Sequence, residues 1–335
     1  MKKKLEFLLC FLIIISVLSC KDEVKETKKV NFYHWKINAD LEEHEKEALK
    51  IGQTNKVFLH YFDVIKEDYG EKPISVIRKV DKDLKDKEIV PVIFISNAIF
   101  QTKYFYKDQL VRKIYKLTEQ IHKHHFNTLP QEIQIDCDWT QSTKDKYFEF
   151  LSALKQKIKV SATIRLHQIK YANKTGVPPV AYGTLMLYNV GDLKNKDQNS
   201  ILDTDIISQY ISKATTYSLE LDVALPIFSQ IVITNNKGSV RLVNQSNFDQ
   251  IKNDTKHFKK QTENLYTVKE KILYKGQYLY KGFTLKFEES KVDEVVAAYE
   301  IIKNSNLTIN ELTLYHLDET ILSNFKLPKL LEELK

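Results

Sequence analysis

The sequence predicts an α/β protein built as a single (β/α)8 barrel of the TIM type. Three observations carry that prediction. Eight short runs rich in β-branched and aromatic residues recur along the chain, amphipathic stretches separate most of them, and a length of 335 residues suits one such barrel. A doubly wound open sheet is the competing architecture. It would place a glycine-rich loop after the first run, where none occurs, and the whole chain holds only eight glycines.

The runs, in order, are VNFYHWK (30–36), KVFLHYFDV (56–64), IVPVIFIS (89–96), EIQIDCDW (132–139), KVSATIRLH (159–167), TLMLYNV (184–190), LDVALPIF (221–228) and ELTLYHLD (311–318). Each has the composition of a strand covered on both faces. Between the first two, LEEHEKEALKIG reads as a helix closed by Gly52. KDQLVRKIYKLTEQIHKHH sets Leu110, Ile114, Leu117 and Ile121 at helical spacing. STKDKYFEFLSALKQKI opens on a Ser142 or Thr143 cap and presents Phe148, Leu151 and Leu154. About eighty residues separate the seventh and eighth runs, far more than one helix needs. Within them IVITNNKGSVRLV reads as a hairpin turning at Asn235, Asn236 and Gly238, and YKGQYLYKGFTLKF as further strands. The expected organisation is therefore a barrel over 30–335 carrying an insertion at about 229–305 beside its mouth.

The N-terminus reads differently. Lys2, Lys3 and Lys4 precede an apolar run from Phe7 to Leu18, too short to cross a bilayer comfortably, and Ser19 stands before Cys20. This is a secretory signal over 1–19, and its ending VLSC resembles the lipobox of bacterial lipoproteins, which implies lipidation of Cys20 and membrane attachment through it. The charged stretch KDEVKETKK reads as a tether over 20–29. Cys-Lys-Asp-Glu also resembles the export signal of surface lipoproteins in Bacteroidota, which implies the outer membrane and its outer face. With Cys10 removed and Cys20 lipidated, Cys137 has no disulfide partner. The 19 residues removed carry three lysines and one glutamate, so a formal charge of +7 falls to about +5 with no basic block, which gives no reason to invoke nucleic acid.

In a barrel of this type the carboxyl ends of the strands surround one opening, where active sites are built. The residues at those ends are His34 and Trp35, Asp63, Asp136 and Asp138, Arg165 and His167, Tyr188 and Asn189, then His316, Asp318 and Glu319. In EIQIDCDWT, alternation puts Gln134, Asp136 and Asp138 on one face and Ile133, Ile135 and Cys137 on the other. Paired carboxylates are what glycoside cleavage needs, and their mutual repulsion separates an acid role from an ionised one. The expected catalytic set is Asp136, Asp138, His167 and Asp318, with Arg165 and His167 orienting the pair. His34, Trp35, Asp63, Arg165, Tyr188, Asn189 and His316 would contact substrate. Trp35, Trp139 and Tyr188 have faces suited to sugar rings. The alternative is an ion-pair network in which Arg165 and lysines merely hold the acids. His122, His124 and His125 close a helix, where surface placement is usual. No metal and no cofactor is called for, and no serine nucleophile elbow occurs.

The segment EIQIDCDWTQSTKDKYFEFLSALKQKIKVSATIRLHQIKY resembles the domain of unknown function 3142 family, through Asp136 and Asp138 at an acidic strand end, Tyr147 in the following helix and the strand VSATIRL at 160–166. That resemblance implies a barrel of glycoside-hydrolase type. The same strand resembles the DxDxE signature of chitinase-type barrels, but Thr140 stands where those enzymes place the proton-donating glutamate. A threonine hydroxyl cannot serve as that acid at neutral pH. Asp63, Asp318 and Glu319 are the candidates to replace it. The leading expectation is thus a lipid-anchored glycoside-hydrolase-like protein acting on an envelope or extracellular polysaccharide. A non-catalytic glycan-binding surface lipoprotein is the second reading. An envelope scaffold docking a protein through residues 227–290 is the third.

Overall fold

A computed structural model of the chain describes residues 28–68, 70–244 and 248–334. The signal segment, Cys20 and most of the tether lie outside the described residues.

Eight parallel strands close on themselves: β1 (Asn31–His34), β2 (Lys56–Glu67), β3 (Glu88–Ile95), β4 (Glu132–Asp136), β5 (Lys159–Arg165), β6 (Gly183–Met186), β7 (Leu221–Pro226) and β8 (Ile309–Tyr315). Closure is at β1, which pairs with β2 through Phe32↔Val57 and Tyr33↔Phe58 and with β8 through Asn31↔Thr313 and Phe32↔Leu314. The chain is therefore a (β/α)8 barrel, as the alternating runs predict. Strands made of Val, Ile and Phe fit because both faces are covered, by side chains filling the lumen and by helices outside.

The helices include Glu43–Ile51, Lys107–Phe126, Lys144–Lys155 and Val292–Lys303. Their inward stripes, such as Leu110, Ile114 and Ile121 or Phe150, Leu151 and Leu154, join the strands in one apolar core. Among the described residues the connection from β2 to β3 carries no α-helix; an antiparallel strand, Gly70–Ile74, folds back on β2 instead. Inside the Lys107–Phe126 helix, His122 is not a surface residue. It is buried, its Nδ1 lies 2.8 Å from the Tyr61 hydroxyl, and burial lowers its pKa to about 4.

Between β7 and the Val292–Lys303 helix, five strands form a separate antiparallel sheet, in the spatial order 240–244, 229–234, 284–289, 265–268, 258–260. A small hairpin, Ile272–Tyr274 with Gln277–Leu279, lies beside it in sequence. This insert has its own apolar cluster, including Ile231, Ile233, Phe258, Tyr266 and Leu285. No helix among the described residues is long and apolar enough to cross a membrane.

Candidate active site

The lumen is filled in layers, and the layers explain where the site sits. At mid-height the Tyr33 hydroxyl donates to Gln134 Oε1 and Gln134 Nε2 donates to Thr184 Oγ1 at 2.9 Å, a chain joining β1, β4 and β6. All three residues are buried, so this layer plugs the barrel. Above it the lumen opens into a cavity of about 320 Å3 lined by Tyr33, Trp35, Asp63, Phe94, Asp136, Thr163, Arg165, Met186, Tyr188, Asn189 and Tyr315. Every barrel strand but β7 contributes a residue, at its carboxyl end or in the turn beyond it. The volume lies at the low end of the range for small-molecule sites, roughly 300–1,000 Å3.

Asp136 forms the acidic point of this cavity. Thr163 Oγ1 donates to its Oδ1 at 2.6 Å. Burial raises the Asp136 pKa above the ordinary carboxylate value; the Arg165 guanidinium and the Thr163 hydrogen bond pull it partly back, and the Asp138 carboxylate pushes it up again. Asp138 itself sits past the end of β4, exposed, with Arg165 Nε donating to its Oδ1 at 2.7 Å, and it does not line the cavity. Arg165 is thus shared: its side chain grips Asp138 while its charge faces Asp136. The second carboxylate on the wall is Asp63, whose Oδ1 lies 2.8 Å from His60 Nε2.

Aromatic rings make most of the remaining wall. Tyr188 stacks on Tyr315 with centroids 4.6 Å apart and planes 21° from parallel, and Trp35 lies between Tyr315 and the His60 ring at centroid distances of 6.0 and 4.8 Å. Burial pushes the Tyr188 hydroxyl far above its usual pKa, so it remains a neutral donor. Asn189 adopts the left-handed backbone conformation, with φ 56°, which asparagine tolerates well.

The structure does not bring several sequence-predicted residues to the cavity. His34 and His316 are buried behind it, with burial lowering their pKa values to about 3 and about 4, so neither is protonated at neutral pH. Asp318 is buried in the same region: Lys36 Nζ lies 2.6 Å from its Oδ2 and 3.2 Å from Glu45 Oε1, and its Oδ1 caps a short helix by accepting from the Ile321 amide. Glu319 accepts from the His44 amide at 2.9 Å and pairs with the His44 ring. His167 is exposed on the helix Leu166–Lys170. Trp139 is fully buried, donates from Nε1 to the Thr175 carbonyl and stacks on Tyr147, so it is packing and not a sugar platform. Thr140 is exposed, with Oγ1 3.0 Å from Ser142 Oγ, outside the cavity lining.

Sequence reasoning missed Tyr33, Phe94, Thr163, Met186 and Tyr315. Period-two parity could have found three of them, because Tyr33, Thr163 and Met186 stand two positions before Trp35, Arg165 and Tyr188; Phe94 faces the site through its pairing with Asp136, which no local pattern shows. A larger cavity, about 560 Å3, lies beyond Phe228 between the insert and the C-terminal helices and is lined by residues such as Phe248, Phe287, Lys291 and Lys326. Size does not decide between the two, because the strand ends and the burial-perturbed carboxyl converge on the smaller one. No group of three or more histidine, cysteine, aspartate or glutamate side chains among the described residues is arranged to hold a metal.

No protein-family model matches the chain, and no curated protein matches its sequence. Solved structures do match. The Bacillus megaterium QM B1551 spore cortex-lytic enzyme SleL superposes with a TM-score of 0.52 at 11% identity, over 94% of this chain and 76% of that one. The C-terminal domain of a proposed chitinase from Desulfitobacterium hafniense DCB-2 gives 0.52 at 11% identity, over 92% of this chain and all of that one. At this identity the likeness shows the fold alone, a TIM-type (β/α)8 barrel.

Proposed function

We propose that the protein binds a polysaccharide of the cell envelope or extracellular space at the barrel mouth. The observation that carries this reading is the cavity itself: an aromatic wall of Trp35, Tyr188 and Tyr315 surrounding a partly desolvated carboxyl, Asp136. Ring faces meet the C–H surfaces of a sugar, and Asp136, Arg165 and Asn189 supply directional partners for hydroxyls. The fold shared with a cortex-lytic enzyme and a proposed chitinase supports the same substrate class.

Hydrolysis is the second reading, and one observation favours it. Burial raises the Asp136 pKa, the direction an acid role needs, while Asp63 on the same wall is a second carboxylate. With Thr140 outside the cavity, Asp318 buried under Lys36 and Glu319 held by His44, Asp63 and Asp136 are the carboxyls left on the wall to donate to a leaving oxygen. The two readings separate in one assay, in which binding and reducing-end release are measured over a panel of bacterial, fungal and plant glycans, with Asp136→Asn as control. Binding without release identifies a lectin-like barrel; release lost in Asp136→Asn identifies a glycosidase; neither, in any glycan, refutes both.

We also propose that the chain belongs to the 3142 family, that lipid on Cys20 ties it to the outer membrane, and that it faces outward. The motif VLSC supports the lipid. Incorporation of labelled fatty acid that persists in Cys20→Ala would refute it.

A further inference from the structure

The insert contributes no residue to the mouth cavity, yet one strand of it carries a buried charge pair. On strand Thr284–Glu289, alternation sends Leu285 into the insert's apolar cluster and Lys286 and Glu288 to the opposite face. Both charged residues are buried. Burying a lysine and a glutamate is costly unless nearly every donor and acceptor finds a partner. Here they do, and most of the partners belong to one barrel loop. Lys286 Nζ donates to the Asn195 and Gln198 carbonyls and pairs with Glu288 Oε1 at 2.6 Å. Glu288 accepts from the Ser200 amide at 2.9 Å, from the Ser200 hydroxyl, and from Gln230 Nε2 at 2.7 Å on the neighbouring strand. Asn199 Nδ2 adds a bond to the Glu289 carbonyl.

The loop so held, residues 190–200, follows directly from Tyr188 and Asn189. It folds back on that stem through Gly191 N to Ser200 O at 3.1 Å and Asn189 N to Ile201 O at 2.8 Å. We propose that Lys286 and Glu288 are positioning residues for the mouth: through the 190–200 loop they fix Tyr188 and Asn189 as one wall of the cavity. The insert is then a brace for the site. The inference deepens the reading of the mouth as a sugar site, but its test needs no sugar, so the two can fail separately.

The test uses the whole chain and two readouts. Trypsin reports the loop through its exposed Lys194 and Lys196. Acrylamide quenching of tryptophan fluorescence reports the mouth, because the chain has two tryptophans and Trp139 is fully buried, leaving Trp35 on the cavity wall as the accessible one. Glu288→Ala removes the anchor outright. Lys286→Met/Glu288→Gln removes both charges at similar volume and tests the same idea if the first variant does not fold. The expected result is cleavage at Lys194 or Lys196 about tenfold faster and Trp35 quenching raised about twofold, with the thermal midpoint of the isosteric double variant near wild type. Unchanged cleavage, or a freed loop with Trp35 quenching unchanged, overturns the proposal.

Discussion

Two aspartates in the barrel lumen, Asp136 at the mouth and Asp222 at the floor, have the same chemistry and opposite surroundings. Burial raises the pKa of both, that of Asp222 to about 7, where the nearby Glu311 carboxylate adds to the shift. Asp222 is sealed: it accepts from the Glu311 amide at 3.1 Å, and the same end of the barrel holds buried Glu132, which is bonded to Ser161 and Tyr182 and paired with Lys159 at 2.6 Å. Asp136 opens instead on a cavity walled by aromatic rings and Arg165. A perturbed carboxyl alone therefore does not mark a site; access and convergence from several strands do. On the proposed reading the floor serves stability and the mouth binds sugar, which is the division expected of this architecture.

The largest effect that tests this division is at the floor. Folded Asp222 keeps its proton up to about pH 7, whereas an unfolded aspartate loses it near 4, so in that window the native state binds more protons and stability falls as pH rises. Asp222→Asn should flatten this decline, raising stability at pH 8 by on the order of 3 kcal/mol relative to wild type, with glycan binding unchanged. Denaturant melts at pH 5 and pH 8 measure it, and an unaltered pH profile would break the comparison. Asp136→Asn should do the reverse, weakening glycan affinity by about 100-fold without lowering the melting temperature. Trp35→Ala should cost about tenfold in affinity through loss of a ring face. His167→Ala, at an exposed helix position, should stay within about twofold of wild type.

The eight barrel strands were legible because each is a compact run of β-branched and aromatic residues, and a strand buried on both faces leaves no other composition available. The site was legible only in part. Residue types at strand ends are visible in sequence, but which of them face the lumen depends on parity, and neighbours in sequence split accordingly. On β1 and the residues after it, Tyr33 and Trp35 reach the cavity while His34 is buried behind it; on β8, Tyr315 lines the cavity and the following His316 does not. Asp138 departs from parity because β4 ends at Asp136, and a strand end is set by pairing that sequence does not show. The bonds from Glu288 to Ser200 span 88 residues, beyond any local pattern.

The central claim is that the mouth cavity holds a sugar, and the most direct test is a crystal structure of the chain soaked with the tightest-binding glycan of the panel. The account predicts a sugar ring against Trp35 or the Tyr188–Tyr315 stack with a hydroxyl or glycosidic oxygen in hydrogen-bond reach of Asp136. A glycan seated instead in the larger cavity beyond Phe228, with the mouth empty, would contradict it.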